Sequence, residues 1–324
     1  MKQATSYYPV YSFRFFRALF IHMRPYLLFV SGVAGLSGMA VAERVNIPAG
    51  IFIMAFIPLF LGYGFGQALT DCFQIDTDSI SSPYRPLVKG EVSPRAVGIV
   101  SSLGLVIISV LIIYLNPYNA TWCIMSIIGL ITYTYFKKNF WFAGPFYNGW
   151  IVMLLPVIGF MAVSGGGFSM LKNADLWNLC GLSLFSYTNF VLIGYLKDIT
   201  ADKETGYKTF PVVFGWNKTL YAGDIFVILG VFFCYRLIGH NDPAAFVLFL
   251  IASVAAISGQ AAGHFTQNKV ESNAYYPVIS TVRAFILWHL SVALHFRPQW
   301  LVFIIIFYLA FEAVLYLRPS KEQI

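Results

Sequence analysis

The sequence predicts an all-α polytopic membrane protein, a bundle of nine or ten transmembrane helices, and three observations predict it. Hydrophobic residues make up 58% of the 324 residues and charged ones 11%, a surface that water cannot solvate in a domain of this length. Ten apolar stretches, each roughly 18–24 residues and so long enough to cross a bilayer core, recur along the whole chain. Short loops separate them, and the cations gather in alternate loops.

The first 24 residues are aromatic and basic, with Lys2, Arg14, Arg17 and Arg24. They lack a compact apolar run followed by a small-residue cleavage site, so they read as a cytoplasmic juxtamembrane segment. The apolar stretches follow at 25–42, 47–69, 96–115, 118–136, 140–163, 176–196, 219–237, 244–262, 274–296 and 300–317. The ninth is the weakest, because it carries Arg283 and His289. Residues 25–317 form a single transmembrane domain on this reading, and 318–324 a short tail.

Crossing at every stretch places the N-terminal segment, loops 70–95, 137–139, 197–218 and 263–273, and the tail on one side. Of the 21 Lys and Arg residues, all fall on that side except Arg44, Lys172, Arg236 and Arg297 at the opposite face and Arg283 within a span. The positive-inside rule makes the crowded side cytoplasmic, and the cell inner membrane is the expected location. The net charge of +7 is explained by topology and lipid contact, so no nucleic-acid partner is expected.

Acids are few, 14 in all, yet seven lie in two cytoplasmic segments: Asp71, Asp76, Asp78 and Glu91, then Asp198, Asp202 and Glu204. A helix running on through the first would stack Asp71, Gln74 and Asp78 on one face at i, i+3 and i+7, with Asp76 pointing elsewhere. In the second, Asp198 and Asp202 are four apart, so a helix end aims both the same way. Carboxylates set so at a membrane face suit a hard divalent cation bridging to phosphate oxygens. Mg²⁺ fits best, because it keeps few protein ligands. Arg85, Lys89, Lys137, Lys197 and Lys208 would neutralise the phosphate charge that remains. Plain solvated loops, with surface pairs worth about 0–1 kcal/mol each, explain one such segment better than two on the same face.

Cys72, Cys123, Cys180 and Cys234 have no CxxC spacing, and the five histidines have no HxxxH or HExxH arrangement, so neither a zinc site nor a disulfide framework is indicated. Asn148 and Asn189 suit helix–helix hydrogen bonding or the orientation of a second substrate. Arg283 and His289 read as paired or snorkelling groups. The segments beginning at Asp71 and Asp198 both run from a helix end through spaced acids to a basic, Gly-containing loop, a weak sign of two halves facing one site.

These residues resemble the UbiA superfamily of intramembrane prenyltransferases over nearly the whole chain. Its first signature, Asn-Asp-x-x-Asp-x-x-x-Asp followed by Pro-x-Arg-Pro, is matched by Asp71, Asp78, Pro83, Arg85 and Pro86, with Thr70 in place of the Asn and Gln74 in place of the middle Asp. The second, Asp-x-x-x-Asp with downstream Gly and Thr, is met by Asp198, Asp202, Gly206 and Thr209. Tyr133 and Lys137 match a Tyr-x-x-x-Lys element, and Arg24-Pro25 resembles the opening of the first helix.

The resemblance implies about nine helices around a central cavity with a cytoplasmic cap, a tenth helix being an addition. It implies Mg²⁺ on Asp71, Gln74, Asp78, Asp198 and Asp202, with Asp76 a substitute for the missing acid. An isoprenyl diphosphate would be ionised there with Tyr133 and Lys137 in catalytic roles and Arg85 and Lys197 assisting. The prenyl group would pass to a lipophilic acceptor, aromatic in most of the family. Aromatic residues are 18% of the chain. Rings such as Tyr63, Phe65, Tyr133, Tyr147, Trp150, Tyr187 and Tyr195 would stabilise the allylic cation by ~1–2 kcal/mol each. A membrane terpene cyclase of the same superfamily is the alternative. A secondary transporter is a second one, disfavoured because the acids lie at one face, with only Asp224 and Glu312 inside spans.

Overall fold

A computed structural model of the chain describes residues 7–43 and 46–318. The expectations placed on Lys2, Arg44 and the tail 319–324 concern residues outside that description. Thirteen α-helices follow in order among the described residues: α1 (Phe13–His22), α2 (Leu28–Val41), α3 (Ala49–Asp71), α4 (Ile75–Ser81), α5 (Pro94–Leu115), α6 (Asn119–Asn139), α7 (Ala143–Ser164), α8 (Ala174–Gly194), α9 (Ile199–Glu204), α10 (Phe210–Ile238), α11 (Pro243–Phe265), α12 (Tyr275–Phe296) and α13 (Leu301–Tyr316). Each of the ten apolar stretches has become one of the long helices. Among the described residues eight helices are long and apolar enough to cross a membrane, nine if the bent pair of α1 and α2 is one span. Helix α6 has the length, with 21 residues, but is more polar and ends in Lys137 and Lys138. The protein is a multi-pass integral membrane protein.

Turn chemistry sets the ends. Ser93 caps α5 by accepting from the Ala96 N–H, with Pro94 at the first helical position. Asn173 and Asp242 cap α8 and α11 in the same way. Helix α10 starts well before the expected 219, at Phe210, because Gly215 at φ 79° joins a short first turn to the membrane-length part. Arg24, a non-glycine residue at φ 54°, turns the chain between α1 and α2, which meet at 56°. The left-handed conformation costs about 1–2 kcal/mol, which a buried ion pair described below offsets.

Helix α2 is buried on all sides, and α8 and α12 are nearly so, whereas α5 and α13 bury one face and give the other to lipid. Small residues let the inner helices touch. A Cβ on Gly38 would run into the Pro156 carbonyl of α7, and one on Gly159 into the Gly35 carbonyl of α2. Several polar side chains inside the bundle join its helices in pairs. His289 donates from Nδ1 to the Phe285 carbonyl (2.7 Å) and takes the Ser183 hydroxyl at Nε2 (2.7 Å). Gln260 donates to Asn189 (3.2 Å), so Asn189 joins helices as one of its two expected roles. Arg283 forks onto Glu312 of α13 with two bonds of 2.7 Å. Arg283 and His289 thus each have a separate partner. Asp224 meets His264 of α11 at 2.8 Å.

Candidate active site

The cap is built by the two acidic segments, each of which breaks a helix and starts a short one. Helix α3 does not run on through the first segment: it ends at Asp71, the chain turns over Cys72–Gln74, and α4 begins at Ile75. The turn still delivers Asp71, Gln74 and Asp78 to one cavity and leaves Asp76 outside, paired with Lys138 at 3.4 Å. Asp198 stands at the start of α9, and Gly206, at φ 76°, ends it. That reversal lets the Tyr207 N–H donate to the Asp202 carbonyl (2.7 Å) and the Thr209 hydroxyl to Asp202 Oδ2 (3.0 Å). The hydroxyls of Thr77 and Thr205 join α4 to α9 at 2.7 Å.

Asp71 is the most heavily engaged carboxylate. Arg24 donates to Oδ2 at 2.7 Å and Gln67 to Oδ1 at 2.5 Å, with Arg85 at 3.5 Å and His22 at 3.6 Å. The turn from Ser82 carries Arg85 back over the acids, where Nη1 lies against Asp78 Oδ2 in an ion pair not aligned as a hydrogen bond. Burial raises the Asp78 carboxyl, with Arg85 opposing it. Lys137, on the last turn of α6, bridges the two segments: it donates to Gln74 Oε1 (3.1 Å), and Asp202 Oδ1 is 3.7 Å away. The rings of Tyr195 and Tyr207 stand 5.2 and 5.1 Å from its nitrogen. Burial pushes the Asp202 carboxyl up to about 6 despite that lysine.

Two cavities meet beneath the cap. The upper one, of about 690 Å³, is charged: Arg24, Asp71, Asp78, Arg85, Lys137, Lys197 and Asp198 are in its wall. The lower one, of about 880 Å³, is apolar and runs between α3, α5, α6 and α7 to a deep end at Pro58, Ile112, Cys123 and Ile158. Tyr63, Gln67, Tyr133, Asn148 and Tyr187 line both and form the neck between them. Two tyrosine pairs stiffen it, Tyr187 with Tyr63 at 3.0 Å and Tyr133 with Tyr195 at 2.9 Å. A molecule with an anionic head and a long apolar tail fits this sequence of environments.

Of the residues picked from the sequence, Asp71, Gln74, Asp78, Arg85, Tyr133, Lys137, Lys197 and Asp198 come together around the charged cavity, and Asp202 stands directly behind Lys137. Lys89 and Lys208 are not brought there: both side chains are exposed on the outside of the cap. Phe65, Tyr147 and Trp150 lie outside both cavity walls, Tyr147 being stacked on Phe136 at 4.4 Å. The sequence reading passed over Gln67, although it stands one turn before Asp71 on the same face, and gave no site role to Arg24, whose contact with Asp71 spans 47 positions.

A digeranylgeranylglyceryl phosphate synthase of Thermococcus kodakarensis is 28% identical over 216 residues, 67% of this chain and 76% of that protein. The synthase of the same name from Natronomonas pharaonis is 26% identical over 253 residues, 76% of this chain and 86% of that one. Among solved structures, a UbiA homologue from Aeropyrum pernix K1 superposes with a TM-score of 0.67 at 18% identity, covering 79% of this chain and 94% of that one. A UbiA homologue from Archaeoglobus fulgidus bound to DMAPP and Mg²⁺ superposes with a TM-score of 0.58 at 16% identity, covering 85% and 98%. The model of the UbiA prenyltransferase family matches residues 29–290, which carry both acidic segments and the whole neck, and the chain belongs to that family.

Proposed function

We propose that the protein ionises an isoprenyl diphosphate with the help of Mg²⁺ and transfers the prenyl group to a lipophilic acceptor, with the cap facing the cytoplasm of the cell inner membrane. The observation that carries this reading is the neck: a charged cavity and an apolar one share the five residues between which the bond to be broken would lie. The diphosphate belongs above it and the prenyl chain below. The Archaeoglobus homologue that shares the fold is bound to DMAPP and Mg²⁺, a prenyl diphosphate and the ion invoked here.

The residues present fit a divalent cation. Asp78 and Asp198 both face the cavity: Asp78 Oδ2 lies beside Arg85 without a hydrogen bond, and Asp198 has Lys197 no nearer than 4.0 Å. Among the described residues no three acidic, histidine or cysteine side chains converge to cage an ion, so phosphate oxygens and water would complete its shell. When bound, the ion neutralises charge growing on the departing diphosphate. Arg85, Lys137 and Lys197 do the same with fixed charges on buried side chains. As the C1–O bond breaks, its electron pair leaves with the diphosphate, and Tyr63, Tyr133 and Tyr187 surround the carbon left cationic. An electron pair of the acceptor, a hydroxyl lone pair or the π pair of an aromatic ring, then forms the new bond to C1, and the acceptor loses a proton. The apolar walls keep water from competing.

Purified protein in detergent, given labelled geranyl, farnesyl or geranylgeranyl diphosphate, should release pyrophosphate only with Mg²⁺. Asp198→Ala should lower that release by about a hundredfold or more. The acceptor panel needs aromatic compounds and also glyceryl phosphates, since two relatives are named for a glyceryl phosphate product. A cyclic hydrocarbon formed without acceptor would identify a cyclase instead. Absence of both binding and release in folded protein would end the prenyl-diphosphate reading.

A further inference from the structure

We infer that the charged cavity holds a single divalent cation and that Lys137 takes the place of a second, an inference that rests on the prenyl-diphosphate reading above. At position 74 the motif this sequence resembles has an acid, and this chain has Gln74. The carboxamide is committed at both ends: Nε2 donates to Thr134 Oγ1 at 3.3 Å, and Oε1 accepts from Lys137 Nζ at 3.1 Å. Turning it over would set an NH₂ group against an ammonium, so its partners fix its orientation. An amide oxygen that already faces an ammonium is closed to a doubly charged ion.

Lys137 is itself held in place. Its side chain is 7% exposed, with Gln74, Asp202 and the Tyr195 and Tyr207 rings around the nitrogen. Asp71 offers no open oxygen either, since Arg24 occupies one and Gln67 the other. Asp198, with Lys197 no nearer than 4.0 Å, and Oδ1 of Asp78, whose Oδ2 lies against Arg85, remain to receive a cation on the cavity side.

Charge balance points the same way. In formal charge, Asp71, Asp78 and Asp198 in the wall and Asp202 behind it are matched one for one by Arg24, Arg85, Lys137 and Lys197. A diphosphate monoester brings at most three negative charges. One divalent ion leaves it attracted to the basic groups, while two would exceed its charge with no spare acid to absorb the difference.

The test counts Mn²⁺ bound per chain by electron paramagnetic resonance, with full-length protein in detergent and a non-ionisable prenyl thiolodiphosphate. One ion is expected in the wild type and two in the double variant Gln74→Asp with Lys137→Ala, which restores the acid and removes the ammonium that faces it. Two ions in the wild type would overturn the inference, and so would one in the folded double variant. If that variant does not fold, as judged by size-exclusion chromatography, the wild-type count decides alone. Failure of the thiolodiphosphate to bind at all would instead overturn the prenyl-diphosphate reading, and the inference with it.

Discussion

Asp202 is hidden from solvent, bonded to Thr209, and faces Lys137 across 3.7 Å, with burial raising its carboxyl to about 6. In the free enzyme its charge is therefore lost as pH falls through about 6, and Lys137 loses an anchor. The expected result is an acid limb in kcat/KM for the prenyl diphosphate near pH 6 that Asp202→Asn removes. The sign for folding is the reverse: a carboxyl raised in the native state draws protons to it, so its contribution to stability declines as pH rises from the ordinary aspartate range through about 6. Asn148 makes the second prediction at this scale. It lines both cavities and its side chain makes no hydrogen bond among the described residues, unlike Asn189. If it orients the acceptor, Asn148→Leu raises the acceptor KM about tenfold, the loss of one hydrogen bond, and leaves the KM for the diphosphate unchanged. Equal changes in both would assign it to the neck's shape alone. Residues of this kind are legible in a sequence when chemistry fixes their spacing, as with Asp198, Asp202, Gly206 and Thr209. Lys89 and Lys208 had the right charge and the right loop, but side-chain direction on an irregular cap is set by tertiary packing. Arg24 shows the opposite case, a role created by a contact 47 positions away.

At the scale of elements, periodicity and length reveal which segments span and say little about how they end. The break at Cys72–Gln74 has no glycine or proline to announce it, and the packing of α4 against α9 decides it. Helix α1 is another such case: its residues read as a basic juxtamembrane segment, yet Phe15, Ala18, Leu19 and His22 are buried while Phe13, Phe16 and Phe20 are exposed. Helix α13 lies beyond the family match at 29–290 and buries Ile304, Phe307, Phe311 and Leu315. Its polar anchor is the fork of Arg283 onto Glu312, which also receives the Tyr308 hydroxyl at 2.8 Å. In an apolar surrounding, removing one partner strands the other, whereas removing both restores an apolar seam. Glu312→Leu should therefore lower stability by about 1.5–3 kcal/mol, and Arg283→Leu combined with it should recover most of the loss. Thermal unfolding in detergent measures both, and additive losses would show that the pair contributes nothing as a pair.

Across the whole molecule, charged cap, aromatic neck and apolar shaft follow one another, and with a diphosphate held at the cap the shaft would act as a ruler for the substrate tail. From Asn148 at the neck to Ile158 at the deep end, the wall follows ten residues of α7, about 15 Å at 1.5 Å per residue. Composition could not show this, because residues lining the shaft and residues facing lipid are equally apolar. Only the packing of α3, α5, α6 and α7 separates Ile158, buried at the shaft's end, from Ile128, exposed on α6. Filling the deep end should shorten the longest chain the protein accepts and leave the diphosphate site untouched. Ile158→Trp or Cys123→Trp adds bulk that a long tail can meet only by displacing packed side chains, at about 1–3 kcal/mol. Turnover of geranylgeranyl diphosphate should then fall at least about tenfold more than that of geranyl diphosphate, measured side by side at saturating Mg²⁺. An equal fall for both chain lengths would mean that the tail lies elsewhere and that the neck, not the shaft, limits the substrate.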